Sequence, residues 1–224
     1  MRRYAAILFD CDGVVIDSEP LGCAALAQAI SEAGHPMTGA EAARIFSGSA
    51  AADSRAFMAR LGLDAAAVHA TSDRLLFAMF DRHIPHVSGI EAVLNDYPVP
   101  VAICSNSSIT RLERSLHRTP LAARFGNHVY SADHVAAPKP APDLALHAAA
   151  QLGIAPDKAI FIDDNVHGIR CATAAGCLAV GFIGPSDHRA GHAVALHAAG
   201  ADHVVHGMAE FHNLLSCLSL SLAA

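Results

Sequence analysis

Four short runs of the sequence are apolar throughout, with no polar residue alternating along them: residues 4–9, 99–104, 159–162 and 178–183. A strand that is apolar on both sides must be covered on both sides, as strands in a parallel sheet are. Residues 128–130 and 202–205 are weaker candidates for further strands. The runs therefore predict a buried parallel sheet.

Helical patterns separate the predicted strands. Ser88 and Glu91 have the spacing of a capping box, and Gly153 follows a helical stretch that Pro142 opens. Further helices are predicted over residues 166–175, 187–199 and 214–222. Alternation of strand and helix indicates an α/β fold with a parallel sheet. We therefore predict a Rossmann-like, three-layer α/β core.

One stretch, residues 18–85, breaks the alternation because it contains no good strand. Its predicted helices cover 20–33, a segment after the Thr38 and Glu41 capping box, 53–61 and 64–83. We therefore predict two domains. Residues 1–17 and 86–224 form the core, and residues 18–85 form a small helical domain inserted after the first strand.

Length and composition exclude several classes of protein. A chain of 224 residues is one large domain, or one domain with a smaller insertion. With 53% hydrophobic and 16% charged residues, it is not intrinsically disordered. A formal net charge of −6 argues against nucleic-acid binding. No apolar run approaches the length of about 18 residues that a membrane span needs.

Cysteine usage and the N-terminal residues predict a cytoplasmic protein. The apolar run after the first residues is shorter than the roughly seven residues of a signal-peptide core. Six cysteines are scattered along the chain without a C-x-x-C pair, which is typical of reduced thiols.

Carboxylate pairs follow two of the predicted strands. Asp10 and Asp12 come after the first, and Asp163 and Asp164 come after the third. Ligands bind beyond the carboxyl ends of strands in an open parallel sheet, so these side chains are expected at one edge. Such oxygen ligands suit a hard cation such as Mg²⁺. A local alternative stays open, because Asp is also common in turns and at helix starts.

Two further polar features point to the same edge. Ser105, Asn106 and Ser107 follow the second predicted strand, where a hydroxyl and the N–H groups of a new helix can hold a phosphate. Lys139 lies in a proline-rich loop, whose restricted backbone would hold one positive charge towards phosphate. Taken separately, an ordinary helix cap and a solvated lysine would explain them.

Together these residues resemble the haloacid dehalogenase superfamily, specifically its phosphatase branch. The run DCDGV from Asp10 is similar to motif I, D-x-D-G-[TV]. Ser105 matches motif II, a Ser or Thr at a strand end, and Lys139 matches motif III, a Lys often found in K-P-x-P. The resemblance extends from residue 5 to about residue 183.

The fourth family motif is an acidic pair, which matches Asp163 and Asp164. The run DDNVHGIRCATAAG is similar to the family pattern [ED]-D-S-x-x-G-x-x-A-[AG]-x-x-A-G. Asn165 replaces the usual Ser, which is expected to change only a supporting hydrogen bond. The helical segment 18–85 resembles the small helical cap of the family.

The resemblance implies a two-step phosphoryl transfer. Asp10 would be the nucleophile and would form an aspartyl-phosphate. Asp12 would protonate the leaving oxygen and later take a proton from the attacking water. Ser105 and Lys139 would hold the transferring phosphoryl oxygens, and the positive charges would offset the repulsion between carboxylate and phosphate.

The resemblance also implies Mg²⁺ as the cofactor. The Asp10 carboxylate, the Asp12 backbone carbonyl and Asp164 would bind it, with Asp163 beside it. On the substrate side, the expected contacts come from the core and from the cap loop. They are Gly13, Ser105, Asn106 and Lys139 in the core, and Ser47, Gly48 and Ser49 in the cap.

Single residues argue for or against other activities found within the superfamily. Haloacid dehalogenases lack an acid at the position of Asp12, and phosphonate-hydrolysing relatives need a cap lysine, which residues 1–138 do not contain. Beta-phosphoglucomutases remain an alternative, because DCDGVVID fits their pattern D-x-D-G-V-I-x-D. However, Gly22 stands at the position of their cap histidine, and residues 47–51 lack the Lys and Arg of their K-G-x-S-R loop.

The sequence therefore predicts a Mg²⁺-dependent phosphatase of small phosphomonoesters, with sugar or polyol phosphates as the expected substrates. A sugar phosphomutase and a non-catalytic phosphometabolite-binding regulator are the alternatives. The regulator is disfavoured because Asp10, Asp12, Lys139 and Asp164 are all present. The expected partner is the phosphorylated substrate, not nucleic acid or membrane, and the expected state is a monomer or weak dimer.

Overall fold

A computed structural model describes residues 3–46, 51–187 and 189–220. The strands of its main sheet are β2 (Ala6–Phe9), β3 (Val101–Ser105), β4 (Val129–Ser131), β5 (Ala159–Asp163), β6 (Leu178–Ile183) and β7 (His203–His206). These six strands are parallel and lie in the order β4-β3-β2-β5-β6-β7. A separate parallel pair joins β1 (Arg3–Tyr4) to β8 (Ser219–Leu220). The predicted α/β class with a parallel sheet is confirmed.

The chain divides into two compact units. The first comprises Met1–Asp17, His86–Asp187 and Gly191–Ala224, and the second comprises Ser18–Pro85 with His188–Ala190. In the described part of the second unit the elements are helical: α1 (Glu19–Glu32), α2 (Gly39–Phe46), α3 (Ala51–Arg60) and α4 (Ala65–Phe80). The role of this unit as a cap stays a prediction.

In the first unit, helices cover both faces of the sheet. They are α5 (Ile90–Asp96), α6 (Ile109–Arg114), α7 (Ala122–Phe125), α8 (Asp143–Gln151), α9 (Val166–Ala175), α10 (His192–Ala198) and α11 (Gly207–Cys217). Leu8 belongs to a buried cluster with residues of α8, α9 and α10. Its neighbour Phe9 points the other way and meets Phe125 of α7 and Phe211 of α11 edge to face. The strands are apolar on both sides because both sides are covered.

Two capping boxes were predicted from the sequence, and one of them is present in the structure. The Thr38 and Glu41 capping box is present, since each backbone N–H donates to the other side chain at 2.8 and 3.2 Å. The capping box predicted at Ser88 is wrong. Helix α5 begins after Gly89 without a side-chain cap, and Glu91 contacts His86 Nδ1 at 3.1 Å instead.

Two predicted helices have different bounds in the structure. The helix predicted from residue 187 begins at His192, and Asp187 contacts the buried side chain of His192 instead of starting the helix. The helix predicted over residues 214–222 ends at Cys217. Ser219 and Leu220 then pair with the N-terminal strand β1, a long-range partner that the local pattern does not reveal.

The cysteines and the helices also bear on the predicted class of protein. All six cysteines are free thiols. Among the described residues, none of the helices combines the length and apolar character needed to cross a membrane.

Candidate active site

The strand order brings the predicted polar residues to one edge of the sheet. Strand β2 lies between β3 and β5, and all three run in the same direction. Asp10 follows β2 directly, Ser105 ends β3 and Asp163 ends β5. Three residues far apart in sequence therefore meet at the carboxyl ends of adjacent strands, which is where open parallel sheets bind ligands.

Lys139 joins two of these carboxylates. Its Nζ donates to Asp10 Oδ1 at 2.5 Å and to Asp163 Oδ2 at 2.7 Å. The three side chains are 4%, 9% and 1% exposed, respectively. Water therefore screens these charges little, and the ammonium is held by direct contact with both acids.

The charges of this cluster are unequal, because two buried carboxylates share one ammonium. Burial raises the pKa of Asp10 to about 7, although Lys139 opposes the shift. Burial likewise raises the pKa of Asp163, again against Lys139. Burial alone would lower the pKa of Lys139, but the attraction of Asp10 and Asp163 outweighs it and raises that pKa. The lysine is thus kept charged, and when both carboxyl groups are ionised their negative charge exceeds the single charge of the ammonium.

A cation could offset that excess. Carboxylate oxygens of Asp10, Asp163 and Asp164 all lie within 4.8 Å of one another. An all-oxygen set of this kind fits Mg²⁺, which prefers carboxylates and water. Asp163 is committed elsewhere, since Oδ2 accepts from Lys139 and Oδ1 accepts from the Asn165 N–H at 2.8 Å. Within the described residues, Asp10, Asp163 and Asp164 thus form a group of carboxylates that could hold such an ion.

Two glycines allow the backbone to approach the acids closely. At Gly13, with φ of 83°, a Cβ would lie 2.9 Å from Asp164 Oδ2. At Gly168, in the first half of α9, a Cβ would lie 1.7 Å from Asp163 Oδ2. Any larger residue at position 168 would force Asp163 or the helix to move.

The Asp12 carboxylate has its own partners. Ser107 Oγ donates to Oδ2 at 2.8 Å, and Arg111 Nη2 donates to Oδ1 at 3.0 Å. Asp12 is thus held by the loop and helix that follow β3.

The residues after β3 form a hydrogen-bonded loop rather than a simple cap. Ser105 is 2% exposed, and its Oγ accepts from the Ser107 N–H at 3.1 Å. The Asn106 side chain exchanges two hydrogen bonds of 2.9 Å with the Lys139 backbone. Asn106 was predicted to contact substrate; the structure places it against the Lys139 loop, and a substrate contact stays a prediction.

The structure thus brings together most of the residues predicted for the site. Asp10, Ser105, Lys139, Asp163 and Asp164 lie at the same edge, with Asp12, Gly13 and Asn106 beside them. Ser47, Gly48 and Ser49 lie outside the described residues. Asn165 caps α9 by accepting from the His167 N–H at 3.0 Å, so the helix start is satisfied without the usual Ser.

The sequence reasoning missed Arg111, and it did not assign an individual role to Ser107 or Gly168. A glycine inside a helix is a usable signal, because it costs stability and so suggests a close approach. For Arg111 no local signal exists, since its partner Asp12 is 99 residues away.

A protein-family model for "haloacid dehalogenase-like hydrolase" matches residues 4–176, which include Asp10, Asp12, Lys139, Asp163 and Asp164. The chain belongs to the haloacid dehalogenase-like hydrolase family. The resemblance drawn from the motifs is therefore confirmed, and with it the assignment of the chain as a hydrolase.

Relatives of this haloacid dehalogenase-like hydrolase are known in sequence and in structure. It is 28% identical over 202 residues to a phosphoglycolate phosphatase of Escherichia coli, covering 79% of this chain and 80% of the relative. It is 25% identical over 182 residues to a 6-phosphogluconate phosphatase of Escherichia coli, covering 79% and 81%. A solved haloacid dehalogenase-like protein of unknown function from Agrobacterium tumefaciens has 35% identity and a TM-score of 0.84, covering 96% and 98%.

Proposed function

We propose that this hydrolase is a phosphatase that acts on small phosphomonoesters through an aspartyl-phosphate. The observation that carries the proposal is the buried cluster of Asp10, Lys139 and Asp163 beside a separately held Asp12. This arrangement supplies a nucleophile, a fixed positive charge and a second carboxylate for proton transfer. The phosphatase relatives support the same reaction.

In the first step, an Asp10 oxygen attacks the phosphorus. A bond forms between that oxygen and phosphorus while the bond from phosphorus to the substrate oxygen breaks. Asp12 gives its proton to the departing oxygen, which leaves as an alcohol. Lys139 and Ser105 face the transferring oxygens, and the Lys139 charge reduces their repulsion from Asp10.

In the second step, water attacks the phosphorus of the aspartyl-phosphate. Asp12, now a carboxylate, takes one proton from that water. The bond between phosphorus and Asp10 breaks, inorganic phosphate is released, and Asp12 ends the cycle protonated as it began. Asp163 holds Lys139 in place through both steps by its 2.7 Å bond.

Mg²⁺ fits this site as the cofactor. We assign its protein ligands as the side chains of Asp10 and Asp164 and the backbone carbonyl of Asp12, with Asp163 supporting Lys139. When bound, the ion supplies positive charge that offsets repulsion between the carboxylates and the phosphate and stabilises the transition state.

For substrates, we propose small phosphorylated sugars, polyols and hydroxy acids. The relatives are a phosphoglycolate phosphatase and a 6-phosphogluconate phosphatase, whose named substrates are both phosphorylated hydroxy acids. Gly13, Asn106 and the cap residues Ser47, Gly48 and Ser49 remain our proposed substrate contacts. We further propose a cytoplasmic monomer or weak dimer, and the free cysteines fit a reducing compartment.

The test is phosphate release from purified protein with Mg²⁺ and with EDTA. The panel contains 2-phosphoglycolate, 6-phosphogluconate, hexose and pentose phosphates, glycerol phosphate and nucleoside monophosphates. Asp10→Asn removes the nucleophile with little change of shape. Asp157→Asn, at a side chain that is 48% exposed, is the matched control.

We expect Mg²⁺-dependent release that survives Asp157→Asn and disappears in Asp10→Asn. Trapping of the protein with substrate radiolabelled in its phosphate should then show an acid-stable label on wild type and Asp157→Asn but not on Asp10→Asn. Interconversion of hexose 1- and 6-phosphates without net release would instead identify a phosphomutase. Binding without any turnover would contradict both and favour the regulator.

A further inference from the structure

The Asp12 carboxylate is held at two points. Ser107 Oγ donates to Oδ2 at 2.8 Å, and Arg111 Nη2 donates to Oδ1 at 3.0 Å. The Asp12 and Arg111 side chains are 26% and 28% exposed, respectively. With a different donor on each oxygen, the plane of the carboxylate has one favoured orientation.

Both donors are anchored by the segment that follows β3. The Ser107 N–H donates to Ser105 Oγ at 3.1 Å, and Ser131 Oγ donates to the Ser107 carbonyl at 2.7 Å. Arg111 lies on α6, where the Ser108 side chain accepts from the Arg111 backbone N–H at 3.3 Å. The segment that places Ser105 for phosphate therefore also sets the direction of Asp12.

We infer that Arg111 and Ser107 are positioning residues that aim the Asp12 carboxyl group at the leaving oxygen, an inference that rests on the proposed phosphatase function. Donors on both oxygens fix the plane of the carboxyl group, and with it the directions in which its lone pairs point. Because proton transfer needs the correct geometry, a group displaced by about 1 Å loses much of its rate advantage, on the order of a hundredfold.

The proton transferred by Asp12 provides a selective test. A sugar or hydroxy-acid phosphate leaves as an alcohol and needs a proton as the bond from phosphorus to oxygen breaks. p-Nitrophenyl phosphate leaves as a stable phenolate and needs little proton transfer. The parameter kcat/KM covers events up to departure of the alcohol, so it reports this step for both substrates.

The experiment compares wild type with Arg111→Met, Arg111→Lys and Ser107→Ala on the best alkyl phosphate of the panel and on p-nitrophenyl phosphate. Asp12→Asn serves as the reference for complete loss of the acid. Arg118→Met, at an exposed arginine of the same region, is the matched control. Thermal unfolding of each variant reports whether it is folded.

We expect Arg111→Met to lower kcat/KM for the alkyl phosphate about tenfold to a hundredfold and for p-nitrophenyl phosphate less than about threefold. Ser107→Ala should show the same selectivity with a smaller loss, and Arg111→Lys should recover part of the activity. In Asp12→Asn, substitution of Arg111 should add no further selective loss, because the group to be positioned is gone.

Three results would overturn the inference. Equal losses on both substrates would mean that Arg111 only supports the fold. A gain on the alkyl phosphate would mean that it restrains Asp12, and a rise in KM confined to carboxylated substrates would make Arg111 a substrate contact. Failure of the proposed function has a different signature, because wild type would then release phosphate from neither substrate.

Discussion

At the scale of single residues, the position of Asp163 depends on the absence of a side chain at Gly168. Gly168 has no Cβ, and a Cβ there would meet Asp163 Oδ2 at 1.7 Å. Asp163 in turn holds Lys139 at 2.7 Å. The position of the buried ammonium is therefore controlled by a glycine on a neighbouring helix.

We expect Gly168→Ala to destabilise the protein by about 2 kcal/mol or more and to lower kcat/KM more than tenfold, because Asp163 must move away from Lys139. Gly22→Ala is the matched control, since it also lies within a helix but has nothing within 4 Å of the new Cβ. The control should gain about 0.5–1 kcal/mol. Thermal unfolding measures the stability of the two variants, and substrate kinetics measures their kcat/KM. Equal changes of stability and of kcat/KM in Gly168→Ala and Gly22→Ala would contradict this prediction.

A second residue-scale prediction concerns Asp10. Its pKa is raised from 3.8 to about 7, chiefly by burial, so the folded protein binds a proton that the unfolded chain releases above about pH 4. The stability associated with this proton is present at low pH and is lost as pH rises through 7. Asp10→Asn removes the ionisation while keeping the shape.

We therefore expect Asp10→Asn to be more stable than wild type at pH 8 by about 2–4 kcal/mol, with the difference shrinking towards pH 4. Chemical unfolding in EDTA at several pH values measures this directly. Asp157→Asn, at a half-exposed side chain, should change stability by less than about 0.5 kcal/mol throughout. A pH-independent difference for Asp10→Asn would show that burial does not raise its pKa.

At the scale of elements, the site is assembled by two loops that bond to each other. The loop after β3 carries Asn106, and the loop after β4 carries Lys139. The Asn106 amide both donates to and accepts from the Lys139 backbone at 2.9 Å. This exchange ties the lysine to the strand that ends in Ser105.

We expect Asn106→Ala to cost about 1–3 kcal/mol and to lower kcat about tenfold, because the Lys139 loop loses both bonds. Asp64→Ala is a matched control for stability: Asp64 caps α4 by accepting from the Ala66 N–H at 2.9 Å. It should lose about 1 kcal/mol and keep its kcat. If Asn106→Ala raises KM and leaves kcat unchanged, its bonds to the Lys139 backbone do not position Lys139, and only the proposed substrate contact remains.

At the scale of the whole molecule, the two units bury apolar surface in different ways. Strands β2 and β5 are buried along their full length between two layers of helices. The helical unit has a cluster of its own, formed by Ala29, Ile30, Met58 and Val68. Local stability follows how much of an element is buried, so the strands should open least often.

Hydrogen exchange should therefore be at least about tenfold slower for amides of β2 and β5 than for amides of α1 and α4. Mass spectrometry of peptides covering these elements gives the rates, and a phosphate analogue added to the protein checks whether the ranking depends on the substrate. Equal protection in both units would mean that they unfold as a single cooperative body.

The sequence by itself determined the class of fold and which acids stand at the ends of strands. Apolar runs and helix caps are local patterns, so the strands, helix α9 and the Thr38 cap were predictable from neighbouring residues. The acids were recognisable because they follow strands directly. Where the partner is distant, local patterns failed, as with the C-terminal strand that pairs with β1.

Only the tertiary structure decided what each polar side chain contacts. Lys139 reaches Asp10 across 129 residues, and Arg111 reaches Asp12 across 99. Such pairs depend on the order of strands in the sheet and on the paths of the loops between them. A short segment reveals its own periodicity and capping, but it contains no information about which distant segment the folded chain will place beside it.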